Sequence, residues 1–167
     1  MKGFSLLIGS FLMISNPASA DHIGLYSDQA GTSCSIASGF NNTAAVIHKN
    51  TSGATGSRFK IAFPTGSSVS AFATPYVVVG SLTSDLSLGY GQCLTGDVLL
   101  GTIVATLGSG SGSVRTANGH PFILYTNCLF AEIQATGGSF GVGTTSNCGE
   151  SGPPQASTWS EVKALYR

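Results

Sequence analysis

Residues 97–106 read DVLLGTIVAT, and past Asp97 the run is apolar nearly throughout. A run of this kind belongs to a central strand rather than to an edge. Working outward, residues 57–63 (SRFKIAF) alternate: Phe59, Ile61 and Phe63 on one side, Lys60 and Ala62 on the other. Residues 129–135 (LFAEIQA) alternate in the same way, with Leu129, Ala131, Ile133 and Ala135 against Phe130, Glu132 and Gln134. A period of two turns one face to a core and the other to water.

Shorter β-branched or aromatic runs fill the rest, at 22–27, 44–49, 75–80, 82–90, 121–127 and 139–143. Gly, Ser, Asn and Pro clusters separate them. Thr136-Gly137-Gly138 is expected to close a hairpin between the last two strands, because glycine takes positive φ without steric cost. Leu107 to Ser113, rich in Gly and Ser, reads as a flexible surface loop. Nothing before residue 157 combines helical periodicity with caps. The expected fold is therefore all-β: an antiparallel β-sandwich of jelly-roll or immunoglobulin-like type, about nine strands, with a short C-terminal helical tail.

The first twenty residues, MKGFSLLIGSFLMISNPASA, have the form of a secretory signal peptide. Lys2 gives the positive start, Phe4 to Ile14 the apolar run, and Ala18-Ser19-Ala20 the small-residue cleavage site. The apolar run is too short to span a bilayer, so cleavage after Ala20 is expected to leave Asp21 first in a mature chain with no membrane span. The expected organisation is a signal peptide at 1–20, a sandwich domain at 21–149, a Gly/Pro linker at 150–156 and an amphipathic tail at 157–167. Without Lys2, six Lys/Arg stand against seven Asp/Glu, so no basic footprint for nucleic acid exists. Charged residues form only 8% of the chain, against roughly 25% in a typical soluble domain. Solubility then falls to Ser, Thr, Asn and Gly, which suits an exported protein located in the periplasm, outside the cell or on its surface.

Four cysteines, Cys34, Cys93, Cys128 and Cys148, lie beyond the cleavage site. An even count in an oxidising compartment reads as two disulfides, with three possible pairings. No C-x-x-C or Cys/His spacing suggests a metal, and no cofactor is implied. The three histidines, His22, His48 and His120, have no nucleophile-elbow context and read as exposed structural side chains. The carboxylates are well spread, and Asp85 and Asp97 on neighbouring strands read as turn or edge residues rather than a glycosidase pair. Tyr26, Phe63, Phe72, Tyr76, Tyr90, Tyr125 and Phe130 could form a sugar platform, although a sandwich core takes most aromatic volume. No reaction is legible, and the chain is expected not to be an enzyme.

The tail STWSEVKALYR follows Gly152-Pro153-Pro154, an extended connector. Thr158 and Glu161 fit a capping box, and Trp159, Val162, Leu165 and Tyr166 share one helical side. Lys163 and Arg167 lie near the negative end of the helix dipole. A helix of about nine residues is unstable alone and needs a surface to lie on.

The layout resembles cohesin-like and related carbohydrate-binding modules, which are nine-stranded jelly-roll sandwiches. TGSRFKIAFPTG (55–66) reads like their third strand and GDVLLGTIVATL (96–107) like their sixth. No cohesin recognition surface is identifiable, so the resemblance carries fold and not scaffold docking. On that layout the cysteines gather at one end, which favours Cys34–Cys148 with Cys93–Cys128. The rival is Cys128–Cys148 across the Thr-Gly-Gly turn, leaving Cys34–Cys93. The chain also resembles a group of uncharacterised secreted bacterial proteins, through IGLYSDQAGTSC, LGYGQCLTG, YTNCLFAEIQATGGSF, SNCGE and TWSEVKALYR. Ser160 stands where that group usually has glycine, and the likeness implies export and fold but no reaction. The expected function is a non-enzymatic surface or extracellular structural or adhesive component. Its tail would be read by export or surface-assembly machinery; the alternative is a module that binds a glycan or another surface polymer.

Overall fold

The computed structural model describes residues 21–118, 120, 122–146 and 148. All regular structure among them is β: β1 (His22–Tyr26), β2 (Ser35–Ile36), β3 (Gly39–Ala62), β4 (Ser68–Ala73), β5 (Val77–Ser81), β6 (Asp85–Leu107), β7 (Gly110–Arg115), β8 (Ile123–Asn127), β9 (Glu132–Gly137) and β10 (Ser139–Val142). The segments expected to be a signal peptide, a linker and a tail, the last with Thr158, Trp159, Val162, Lys163, Leu165, Tyr166 and Arg167, lie outside the described residues, as do Ala18 and Ala20.

Two long strands organise the sandwich. β3 and β6 run antiparallel from Gly39↔Leu107 to Phe59↔Leu86. β1 and β8 join β3 on its other side, β9 bridges β8 and β1, and β4 and β5 line the outer side of β6. The end of β3, Lys60 to Ala62, leaves this sheet and pairs with β7, which carries β10 and β2 in the second sheet. Ile23, Val46, Phe59, Leu100, Ile103, Phe140 and Val142 are fully buried in one contiguous core. The run 97–106 is central, since Thr102 and Ile103 pair with both β3 and β4.

Five sequence expectations change. The strands expected at 44–49 and 57–63 are one strand, and so are those at 82–90 and 97–106. The polar Gly/Asn breaks between them are bulges absorbed within the β3–β6 ladder, not turns, and Asn50 takes a left-handed φ of 56° at one of them. β4, which has no clear alternation, the two-residue β2 and β7 are additional strands, bringing the described total to ten.

Leu107 to Ser113 is not a loop beyond Gly108 and Ser109, because residues 110–115 form β7. Its glycines mark a close approach: a Cβ on Gly112 would strike the ring of the buried Phe140. Thr136-Gly137-Gly138 does not close a hairpin either. The Gly138 amide donates to Ile23 O at 2.9 Å, and its carbonyl accepts from Val114 N–H at 2.9 Å. The chain there crosses from one sheet to the other. Finally, the 129–135 strand starts only at Glu132, which leaves Leu129 and Phe130 in the β8–β9 connection.

Candidate functional site

That connection is a built loop. Asn127 pairs with Ala131 through a backbone bond of 2.9 Å, and Phe130 N–H donates to Asn127 O at 3.0 Å. The Asn127 side-chain oxygen accepts from Leu129 N–H and Ala131 N–H, each at 2.9 Å. Four bonds on one asparagine fix four residues. Within them Phe130 sits at φ 60°, a left-handed conformation that costs a bulky residue about 1–2 kcal/mol. Yet neither large side chain gains burial, for Leu129 is 86% exposed and Phe130 80%.

The loop is also tied from below. Cys128 is bridged to Cys93 in the bulged part of β6, with the Cα atoms 5.4 Å apart. Gly53 of β3 lies under the bridge, where a Cβ would approach Cys128 Sγ to 2.7 Å. Beside the bridge opens a groove of about 370 Å³ lined by Thr55, Gly91, Gln92, Cys93, Cys128 and Phe130. No lining residue carries a charge. The second bridge, Cys34–Cys148, has a Cα separation of 5.3 Å and lies away from this tip, with Cys34 buried beside β10. A second apolar feature is β5, where Val77 and Val79 are largely exposed on the same sheet.

The titratable groups are arranged differently from the sequence expectation. His22 and His48 are not exposed; both are buried. His48 packs its ring against Tyr125 edge-on at 5.1 Å and meets Tyr90 Oη through Nδ1 at 3.4 Å. Burial among these rings, opposed by Asp21 and aided by His22, holds its pKa down at about 4. The His22 Nε2 lies 2.7 Å from Tyr26 Oη. Burial first, and then the hydrogen bond to Asp21, push the Tyr125 hydroxyl up to about 12. His120 contacts Arg58, which also forks onto Asp85. That guanidinium holds Asp85 below the usual carboxylate range, and Lys49 at 2.8 Å does the same for Asp97.

Asp85 and Asp97 therefore lie on one strand, each taken by a cation of β3, and do not face one another. His22 and His48 contact tyrosines, and His120 contacts an arginine. Among the described residues no group of three His, Cys, Asp or Glu side chains is placed to hold a metal ion, and no helix is long and apolar enough to cross a membrane. Of the seven aromatics considered for a sugar platform, Tyr26, Tyr90 and Tyr125 are buried, Phe63, Phe72 and Tyr76 are partly buried, and only Phe130 projects. Leu129 was hidden in the sequence by its apparent place in a strand. The valines of β5 had a readable signal, the absence of any charge between Lys60 and Asp85.

No protein-family model and no curated protein matches the chain. Solved structures do. A non-cellulosomal cohesin from the hyperthermophilic archaeon Archaeoglobus fulgidus superposes with a TM-score of 0.53 at 12% identity, over 74% of this chain and 91% of that one. A cohesin module from a Clostridium perfringens family 33 glycoside hydrolase gives a TM-score of 0.51 at 8% identity, over 74% of this chain and 96% of that one. At these identities the likeness is one of fold: a cohesin-like jelly-roll β-sandwich.

Proposed function

We propose that the chain is a secreted, non-enzymatic docking protein that grips a surface or extracellular partner with the Leu129–Phe130 tip. The observation that carries this reading is the cost of that tip. A left-handed phenylalanine, a disulfide and an asparagine clamp together hold two large apolar side chains in water. Folding alone gives no return for that arrangement, whereas a buried interface recovers it, since exposed apolar anchors supply most interface energy. The cohesin-like fold agrees with this role.

Export through residues 1–20 and use of the 157–167 tail by export or surface-assembly machinery belong to the same proposal. They rest on the A-x-A site and on the apolar stripe of Trp159, Val162, Leu165 and Tyr166. The test compares the mature chain with Leu129→Ser/Phe130→Ser and with a deletion of 157–167, scoring fold by circular dichroism and retention on the producing cells. Both variants are expected to fold. The tip variant is expected to lose retention, and the deletion to lose localisation. Unchanged retention of the tip variant defeats the docking reading; unchanged localisation of the deletion defeats the tail reading.

A second reading has one observation in its favour, the exposed Phe130 ring beside the polar Gln92 and Thr55 in an uncharged groove. An aromatic face with hydrogen-bonding neighbours suits a sugar ring. A polysaccharide pull-down unaffected by Phe130→Ser removes it.

A further inference from the structure

Strand β5 is an outer strand of the first sheet. It pairs with β6 from Val77↔Gly89 to Ser81↔Asp85, and among the described residues no strand lies on its other side. Every residue of it is exposed, Val77 at 71%, Val78 at 42% and Val79 at 68%. An edge of this kind presents alternate N–H and C=O groups as a template for another strand. Natural edges are usually blunted by a charged side chain, an internal proline or a strong bulge. Here the whole segment between Lys60 and Asp85 lacks a charge, Pro75 stands ahead of the strand rather than in it, and Gly80 at φ 92° confines the regular edge to Val77–Val79.

We infer that β5 pairs antiparallel with β5 of a second copy of this chain, about a two-fold axis through Val78. Three features select that occupant. The first is charge: in a two-fold contact any charge near the axis meets its own image, and this edge carries none. The second is register. Centred on Val78, the pair sets Val77 against Val79 of the second copy, Val78 against Val78, and Val79 against Val77. Every valine meets a valine. Centring on Val79 would leave Val77 against Ser81, and facing β-branched pairs stabilise a ladder while mismatched ones do not. The third is direction, because an antiparallel pairing of identical strands closes on itself and needs no further subunit.

The contact is small. In this register only Val77 to Val79 overlap within β5, and a three-residue ladder buries roughly one to two hundred Å² per copy, below the ~800 Å² per partner of a standard stable interface. The dimer is therefore weak in dilute solution and populated where copies are crowded, as on a surface. This edge is distinct from the Leu129–Phe130 tip, so its loss leaves tip binding by a single copy intact.

All four native cysteines are bridged, so one introduced thiol is the only free one in the chain. Facing residues of an antiparallel pair lie about 4.5–5.5 Å apart, within disulfide reach. The experiment oxidises the folded mature chain carrying Val77→Cys, Val79→Cys, Val78→Cys or the exposed control Thr83→Cys. Mixed V77C and V79C proteins are expected to cross-link at least ten times faster than either alone, and V78C to cross-link by itself. V79K is expected to stay monomeric in concentrated sedimentation runs while keeping the wild-type near-ultraviolet circular dichroism. Cross-linking of V77C or V79C alone as fast as the mixture overturns the register. Yields no greater than T83C overturn the pairing altogether, and that is also the result expected if the edge instead takes a strand from a different protein.

Discussion

The two regions nearest β8 invert the usual arrangement. At its inner side a histidine is packed in the core against Tyr125 and Tyr90; at its outer end a leucine and a phenylalanine stand in water. The interior case has a structural account. A neutral imidazole is nearly an aromatic ring, so it fills core volume and needs only modest hydrogen bonding. The exterior case has none within the fold, because the loop would be as well bonded with small polar side chains at 129 and 130. On the proposed docking role, the difference separates a residue kept for packing from residues kept for a partner.

The largest expected effect lies on the interior side. His48 has a folded pKa of about 4, while an unfolded imidazole titrates near 6.5. Between those values the unfolded chain binds a proton that the native state refuses, so stability falls as the pH falls through this window. The loss is about 3 kcal/mol and complete near pH 4. Urea unfolding at pH 7, 5.5 and 4 checks the slope, and the His48 ring signals in NMR should stay those of a neutral imidazole until about pH 4. A ring that titrates near 6.5 in the native state breaks the contrast.

A smaller effect, of opposite sign, is expected at the tip. Phe130→Gly relieves the left-handed strain and should stabilise the chain by about 1 kcal/mol in the same unfolding assay. Destabilisation would mean that the ring supports the fold after all. The smallest effect sharpens the comparison: Leu129→Ser should change stability by less than about 0.5 kcal/mol, as exposed substitutions do. That value measured beside a loss of retention identifies a residue kept for binding.

Much of the fold was legible because its signals are local. The alternation of Phe59 and Ile61 against Lys60 named a half-buried strand, and the unbroken run after Asp97 named a central one. The misreadings share one cause. Glycine and asparagine are written the same way in a turn, a bulge and a tightly packed strand. The breaks around Asn50 and Gly53 and around Gly91 and Gly96 look like loops until the partner strand appears beside them. Gly110 and Gly112 look like a flexible linker until Phe140 is seen lying over Gly112. The site was harder to read still. Leu129 continues the alternation of Ile133 and Ala135 in the sequence, and only the clamp on Asn127 removes it from the strand.

By itself the sequence determined the all-β class, the run that becomes the middle of the sheet, the even set of cysteines and the scarcity of charge. Each is a property of composition or of a period of two, and neither depends on which segments meet. The tertiary structure alone decided that β3 and β6 each run unbroken across the sandwich, that Gly138 changes sheets instead of turning back, and that His48 is inside while Phe130 is outside; between the two cysteine pairings left open it has the one the cohesin-like layout favoured, Cys34–Cys148 with Cys93–Cys128. Those outcomes rest on contacts between residues far apart in the chain, where burial is set by what the partner strand brings and not by the side chain's own polarity.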